Sequence, residues 1–243
     1  MATRMTAEGT APRRSFASRV LSALEVPALV AVPVALAACA VLDVPATAAL
    51  SMGVAVIAIA LMVAGIETDA PLMRQLMPTV VLAAAAAAGR VMFAPLPDIK
   101  PVSAICIIAG ATLGRRSGFA CGALAALVSN FFFGQGAWTP LQMYAWGLVG
   151  YVAGMLSDAG AFERTWPVLA WGFCSGLVYG AILNGWHVLG YVRPITLAGT
   201  LTAFAAGFPL DVMHGVATVV FLALTWGPWG RAIKRAVAKY DLR

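Results

Sequence analysis

Hydrophobic residues along this 243-residue chain fall into eight long runs separated by short polar stretches. A helix that crosses the hydrocarbon core of a bilayer needs about 20 predominantly apolar residues. The pattern therefore predicts an all-α, polytopic membrane protein with short loops. The predicted helices cover residues 26–42, 46–66, 75–93, 101–114, 117–133, 139–157, 166–190 and 200–226. The run 101–114 is short for a complete span, which indicates a tilted or partial helix.

The composition agrees with a membrane protein and excludes most soluble classes. Hydrophobic residues make up 61% of the chain and charged residues 11%, against about 45–50% and about 25% in soluble domains. An ordinary soluble enzyme, a disordered chain and a nucleic-acid binder are therefore excluded. The four cysteines all lie in apolar runs without a C-x-x-C pair, which predicts buried thiols rather than a disulfide framework or a zinc site.

The distribution of Lys and Arg predicts the topology. With a cytoplasmic N-terminus, only Arg90, Lys100 and Arg193 of the 16 Lys and Arg residues lie outside. This positive-inside bias predicts a multi-pass protein of the cell membrane with both termini in the cytoplasm. Residues 1–25 are predicted to be a disordered cytoplasmic tail, and residues 231–243 a basic cytoplasmic tail on the anionic membrane surface.

One segment offers a different N-terminus. Leu36-Ala37-Ala38-Cys39 is similar to a bacterial lipoprotein cleavage box, and cleavage there would leave seven spans with the later topology unchanged. The long leader, the presence of Glu25 and the hydrophobic helix that follows favour the uncleaved chain.

Small residues recur at helical spacing, which predicts close helix packing inside the bundle. The pairs are Gly110 with Gly114, Gly118 with Gly122, Gly150 with Gly154, and Gly172 with Gly176 and Gly180. The six consecutive alanines of 83–88 form a helix that is smooth on all sides. Such a helix suits a partner that slides or rotates against it, with an ordinary close-packed helix as the alternative.

Polar side chains inside the spans are the candidate functional groups, because each costs about 2.5–3.5 kcal/mol on insertion scales. The predicted topology gathers them in the outer half of the membrane and leaves the inner half almost entirely to Ala, Val, Leu and Gly. This asymmetry predicts a cavity that is open to the outside. Such a cavity binds a small molecule but does not by itself conduct it to the inside. The candidate residues are Arg90, Asn130, Phe133, Gln135, Trp138, Gln142, Trp146, Asn184, His187, Asp211 and His214.

Several of these residues also have an ordinary structural explanation. Asn130 is compatible with a helix cap, Trp138 with an interfacial aromatic belt, and Arg90 with snorkelling to the headgroups. Asp211 and His214, three residues apart, are compatible with a polar pair that fixes helix packing. The common position of the candidates in the outer half of the membrane is the more specific indication of a binding site.

The motifs that are absent narrow the function. No P-loop occurs, so the chain does not hydrolyse ATP by itself, and no catalytic residue, cofactor or metal site is predicted. One alternative is a stand-alone secondary transporter or channel. Another is an intramembrane serine hydrolase that uses Ser175, within Gly172-Phe173-Cys174-Ser175-Gly176, together with His187 or His214.

Two stretches carry a family resemblance. They are LPDIKPVSAICIIAGATLGRRSGFACGALAALVSNFFFGQGAWTPLQMYAWGLVGYVAGML and, later, GFPLDVMHGVATVVF before the basic C-terminus. Over about residues 75–235 the chain resembles the substrate-binding S component of energy-coupling factor (ECF) vitamin transporters. The resemblance implies a six-helix core over 67–230, with 26–66 as two accessory transmembrane helices. Within the family, members assigned to cobalamin or its precursors are the most similar.

The resemblance also implies a ligand, partners and site roles. The ligand would be a vitamin or related micronutrient, and the partners a transmembrane coupling protein and two cytoplasmic ATPases. The A-x-x-x-A motif of the family, which faces the coupling protein, is matched by Ala83 with Ala87 or by Ala84 with Ala88. The chain would then be a receptor and not an enzyme, embedded in the lipid bilayer, with no nucleic-acid partner.

Overall fold

The computed structural model of the chain describes residues 16–42, 47–68 and 73–240. This part contains eight α-helices, one 3₁₀ turn over Ala161–Glu163, and no strand. The α-helices are α1 (Phe16–Leu42), α2 (Thr47–Thr68), α3 (Met73–Met92), α4 (Val102–Leu113), α5 (Arg115–Phe133), α6 (Thr139–Asp158), α7 (Thr165–Tyr191) and α8 (Leu197–Tyr240). Of these described helices, α1, α3, α5, α7 and α8 are long and apolar enough to cross a membrane. The chain is an all-α, polytopic membrane protein, as the hydrophobic pattern predicts.

Both predicted tails are partly helical. The disordered tail predicted for 1–25 is wrong from residue 16 onward, because α1 begins at Phe16; residues 1–15 lie outside the described part. Helix α8 continues through most of the predicted basic tail and ends at Tyr240, because Ile233 and Val237 pack on the hydrophobic core. Residues 241–243 are likewise outside the described ranges.

Helix α4 forms the centre of the bundle. All twelve of its residues are buried, and it contacts α3, α5, α6, α7 and α8. Twelve helical residues extend about 18 Å, whereas the hydrocarbon core is about 30 Å thick. The predicted partial helix is therefore confirmed, and its neighbours enclose it completely. Gly114, with φ +100°, connects α4 to α5 in a conformation that favours glycine.

Glycines bring α4, α5 and α6 into backbone contact. A Cβ added to Gly118 of α5 would lie 2.6 Å from Cα of Gly110 in α4. A Cβ on Gly110 would lie 3.0 Å from the carbonyl carbon of Gly150 in α6. The helix-packing role predicted for the spaced glycines is confirmed at this three-helix contact.

A buried ion pair attaches α1 and α2 to the remaining helices. Glu25 of α1 is buried and accepts a 2.5 Å hydrogen bond from Nε of Arg116 in α5. Arg116 Nη1 donates to the Gly65 carbonyl of α2 at 3.0 Å, and the Tyr151 hydroxyl of α6 donates to Glu25 at 2.8 Å. This charged cluster joins four helices at the start of α5.

The cluster corrects one sequence-based expectation. The half of the bundle that was predicted to be almost purely apolar contains a buried carboxylate with two arginines nearby, since Arg115 lies 3.6 Å from Glu25. The expectation is wrong because Glu25 was assigned to a disordered tail, whereas it lies inside α1.

Candidate ligand-binding site

Arg90 is the central polar residue at the end of the bundle opposite the charged cluster of Glu25 and Arg116. It lies near the end of α3 and is 9% exposed. Its Nη1 donates hydrogen bonds to Oγ of Ser129 at 2.7 Å and to Oδ1 of Asn130 at 2.6 Å. The snorkelling explanation is therefore wrong, because the guanidinium bonds to α5 inside the bundle.

The hydrogen bonds continue from α5 across α6 to α7. Nδ2 of Asn130 donates to Oε1 of Gln142 at 2.8 Å, and Nε2 of Gln142 donates to the Tyr179 hydroxyl at 3.1 Å. Asn130 is fully buried, so its role is a network member rather than an exposed helix cap. We call Arg90, Ser129, Asn130, Gln142 and Tyr179 the polar network. It connects α3, α5, α6 and α7.

Aromatic rings surround the guanidinium. Cζ of Arg90 lies 4.5 Å from the ring centroid of Phe133 and 4.9 Å from that of Trp146, both within cation–π range. Tyr179 also contacts Trp146, and its ring stacks on the indole with centroids 4.7 Å apart. The structure thus brings together Arg90, Asn130, Phe133, Gln142 and Trp146 as the sequence predicts.

His214 extends this arrangement to α4 and α8. Its ring centroid lies 5.0 Å from that of Tyr179, and its Nε2 lies 2.7 Å from Oγ of Ser103. His214 is buried, so its partners hold the imidazole in place. Its predicted pairing with Asp211 is replaced by contacts with Ser103 and Tyr179.

Asn184 and Asp211 form a separate polar pair between α7 and α8. Nδ2 of Asn184 donates to Oδ2 of Asp211 at 3.0 Å. A glycine on each helix makes room for the pair: a Cβ on Gly180 would overlap the Asp211 carboxyl group, and one on Gly207 would lie 2.7 Å from the Asn184 amide. Both residues are partly exposed, unlike Arg90 and Asn130.

The loop between α3 and α4 adds charges that the sequence reasoning did not assign to the site. Lys100 Nζ donates to the carbonyls of Phe93, at 2.6 Å, and Leu96, which fixes the loop. Burial raises the pKa of Asp98 above its ordinary value, while Lys100 and Arg90 act in the opposite direction. The short spacing between Arg90, Asp98 and Lys100 was the available sequence signal.

Three predicted residues lie at the margin of the site or outside it. Gln135 is exposed and reaches the network only through Thr139, whose hydroxyl donates to Gln135 at 3.0 Å and accepts from Asn130 at 3.1 Å. Trp138 is exposed at the start of α6. His187 is also exposed, and its ring stacks on Tyr191 with centroids 5.3 Å apart. Of Trp138, Gln142 and Trp146, which follow one another at four-residue spacing, Gln142 and Trp146 therefore reach the network and Trp138 does not.

The predicted partner surface requires a correction. Ala83 and Ala87 are each 4% exposed, so the assignment of these two residues to a partner surface is wrong, because the chain itself covers them. Ala84 and Ala88 are exposed on the same helix face as Val81. The A-x-x-x-A match that a partner can reach is Ala84 with Ala88.

The geometry for serine chemistry is not formed. Ser175 is fully buried, and its Oγ donates to the Gly172 carbonyl of its own helix at 2.7 Å. The imidazole of His214 is bonded to Ser103, and His187 faces the surface. Among the residues that the structure describes, no three His, Cys, Asp or Glu side chains form a group that could hold a metal ion.

A family model with the description "Family of unknown function (DUF6580)" matches residues 70–239. This range is more than half of the chain, and it contains α3–α7 and all but the last residue of α8. The chain belongs to DUF6580. No curated protein and no solved structure matches the chain.

The DUF6580 range divides the structural features into two groups. The whole polar network lies within DUF6580, as do Ser103 and His214. Glu25 lies before the DUF6580 range, whereas its partners Arg116 and Tyr151 lie inside it. Helices α1 and α2 therefore precede the DUF6580 unit in the sequence and are attached to it by the charged cluster.

Proposed function

We propose that this DUF6580 chain is the substrate-binding S component of an ECF-type importer. It captures a vitamin or related micronutrient from outside, and a transmembrane coupling protein with two cytoplasmic ATPases drives the uptake. The observation that carries the proposal is the polar network, which buries a guanidinium among amides and aromatic rings where four helices meet. Such convergent polar groups in an apolar surrounding are typical of small-molecule sites.

The positive-inside rule supports capture from outside. Arg115 and Arg116 occupy the start of α5, and Asn130 lies near its end. If the two arginines are cytoplasmic, Asn130 and the polar network lie about 21 Å further, on the outer side. Under that topology, an extracellular solute would reach the polar network first.

The interior of α5 favours a receptor over a channel. Between its two polar ends, the buried positions of α5 are glycine, alanine, cysteine and phenylalanine. Polar groups at all depths are expected for a pathway that conducts ions or polar solutes. Along this helix they are confined to the ends, which supports binding on one side and delivery by a separate module.

The exposed face of α3 supplies the proposed docking surface for the coupling protein. Small side chains allow close backbone approach between helices in lipid, where no hydrophobic force draws them together. Ala84 and Ala88 provide this approach on a face that the chain leaves uncovered. Ala83 and Ala87, their neighbours in α3, are buried against the rest of the chain. The same helix therefore joins the proposed docking surface to the core of the bundle.

The double variant Ala84→Leu/Ala88→Leu tests this surface. We expect the coupling protein and ATPases that copurify with the tagged chain to decrease at least about tenfold, which corresponds to about 1.4 kcal/mol. The reason is that leucine side chains hold the partner helix away. Small-molecule content should stay unchanged, because the polar network faces the other way from this helix surface.

Ala60→Leu, on the exposed face of α2, is the matched control and should leave copurification intact. Equal recovery of the partners with the double variant and with wild type would reject docking at Ala84 and Ala88.

A further inference from the structure

Arg90 is 9% exposed, and its guanidinium has hydrogen-bond donors that no described residue accepts. In the described part of the chain its hydrogen bonds all come from Nη1, and both acceptors are neutral oxygens. An arginine has five N–H donors, so those on Nε and Nη2 remain for another acceptor. A buried charge is normally paired, and the guanidinium fork fits a carboxylate or phosphate in a bidentate manner.

Trp146 provides a second unused hydrogen-bond donor next to the Arg90 guanidinium. The side chain is 2% exposed, and its Nε1 has no hydrogen-bond partner within the part of the chain that the structure describes. A buried indole N–H usually finds an acceptor. The amide oxygens nearby accept from other groups, Asn130 from Arg90 and Gln142 from Asn130. Among the described contacts, no residue accepts from the indole N–H or from the Nε and Nη2 donors of Arg90.

The other charges around Arg90 do not supply the missing acceptor. Lys100 is a cation that only donates, and it donates to loop carbonyls, while the described hydrogen bond of Asp211 is with Asn184. Asp98, in the loop between α3 and α4, forms neither a hydrogen bond nor an ion pair with the guanidinium among the described contacts. Neither carboxylate thus uses the remaining Arg90 donors.

We propose that the ligand of this site carries an anionic group, a carboxylate or a phosphate, whose oxygens accept hydrogen bonds from Arg90 and from the Trp146 indole. An anion supplies both the missing acceptors and the missing counter-charge. The rings of Phe133 and Trp146 flank the guanidinium and fix its orientation before the ligand arrives. This inference rests on the proposed receptor function and names the chemical class of its ligand.

Isosteric probes test the inference on the purified full-length chain. Benzoate and benzamide have nearly the same shape and differ in charge, and inorganic phosphate provides the second anion class. Equilibrium binding is followed by intrinsic tryptophan fluorescence and calorimetry. We expect benzoate, phosphate or both to bind at least tenfold more tightly than benzamide; the stronger of the two anions distinguishes a carboxylate from a phosphate ligand.

Three variants locate the binding. Arg90→Gln should reduce the preference for the anion over benzamide to less than twofold. Trp146→Phe retains an aromatic ring but removes the pyrrole part of the indole together with its N–H donor, and should weaken anion binding several-fold. Arg193→Gln, which removes an exposed positive charge outside the network, should change nothing. If Arg90→Gln fails to fold, the Trp146→Phe comparison still decides the matter.

Equal affinities for benzoate and benzamide with no binding of phosphate, or an anion preference that survives in Arg90→Gln, would overturn the inference. A neutral compound that copurifies with the chain would also overturn it while leaving the receptor function intact. Failure of the receptor function itself has a different signature, in which the chain binds none of the probes and retains no small molecule.

Discussion

Replacing Gly150 with alanine is expected to prevent α4, α5 and α6 from packing together. The added Cβ would lie 2.5 Å from the carbonyl carbon of Gly118, whereas packed carbon atoms are about 3.5–4.0 Å apart. The obstacle is backbone, which cannot rotate away as a side chain does. We expect a loss of at least about 3 kcal/mol, the upper end for overpacked cores. Yield of monodisperse protein and thermal unfolding in detergent measure this loss.

Gly53→Ala provides the matched control. Gly53 lies on α2, and a Cβ added there meets no atom within 4 Å. This variant should behave like wild type, because alanine also favours the helix. A Gly150→Ala protein that unfolds at the same temperature as Gly53→Ala would contradict the three-helix backbone contact.

Replacing Glu25 with alanine is expected to release α1 and α2 from the DUF6580 unit. The substitution leaves Arg116, which is mostly buried, without its carboxylate and leaves the Tyr151 hydroxyl without its acceptor. Removing one partner of a buried ion pair costs about 3–5 kcal/mol, because the remaining charge is uncompensated. Thermal unfolding and limited proteolysis of the α1–α2 segment measure the effect.

Glu67→Ala removes an exposed carboxylate from the same pair of helices and should be nearly neutral. The double variant Glu25→Leu/Arg116→Met should regain stability relative to Glu25→Ala, because it removes the uncompensated charge along with the pair. If Glu25→Ala is as stable and protease-resistant as Glu67→Ala, the ion pair does not hold the accessory helices.

The hydrophobic pattern predicted the helices well because each helix in lipid satisfies its backbone internally over a length that the bilayer sets. The ends were predicted less well, since tertiary contacts decide them. Glu25 reads as a polar tail residue but is stabilised inside α1 by Arg116. Helix α8 extends past Trp226 because Ile233 and Val237 find apolar neighbours.

The site was predicted only in part, because its contacts join residues of different helices. Depth alone grouped Arg90 with Asn130 and Trp146, which come from different helices. Tyr179 and Ser103 were missed because a tyrosine or serine in an apolar run has no special sequence signal until its partners, Gln142 and His214, are known.

The rotation of α3 about its own axis was another feature that the sequence did not predict. Six identical alanines give no amphipathic pattern, so nothing in the sequence distinguishes the buried pair, Ala83 and Ala87, from the exposed pair, Ala84 and Ala88. Only the packing of α3 on α4 and α5 decides which alanines remain accessible.

The central claim is that the buried polar network around Arg90 binds a small molecule. Mass spectrometry of compounds extracted from the purified full-length chain tests it most directly, with wild type, Arg90→Gln and Ala84→Leu/Ala88→Leu compared side by side. The proposal predicts one compound in near-stoichiometric amount in wild type and in the alanine-surface variant, and its loss in Arg90→Gln. No enriched compound in wild type, or equal amounts in wild type and Arg90→Gln, would contradict a ligand site at Arg90.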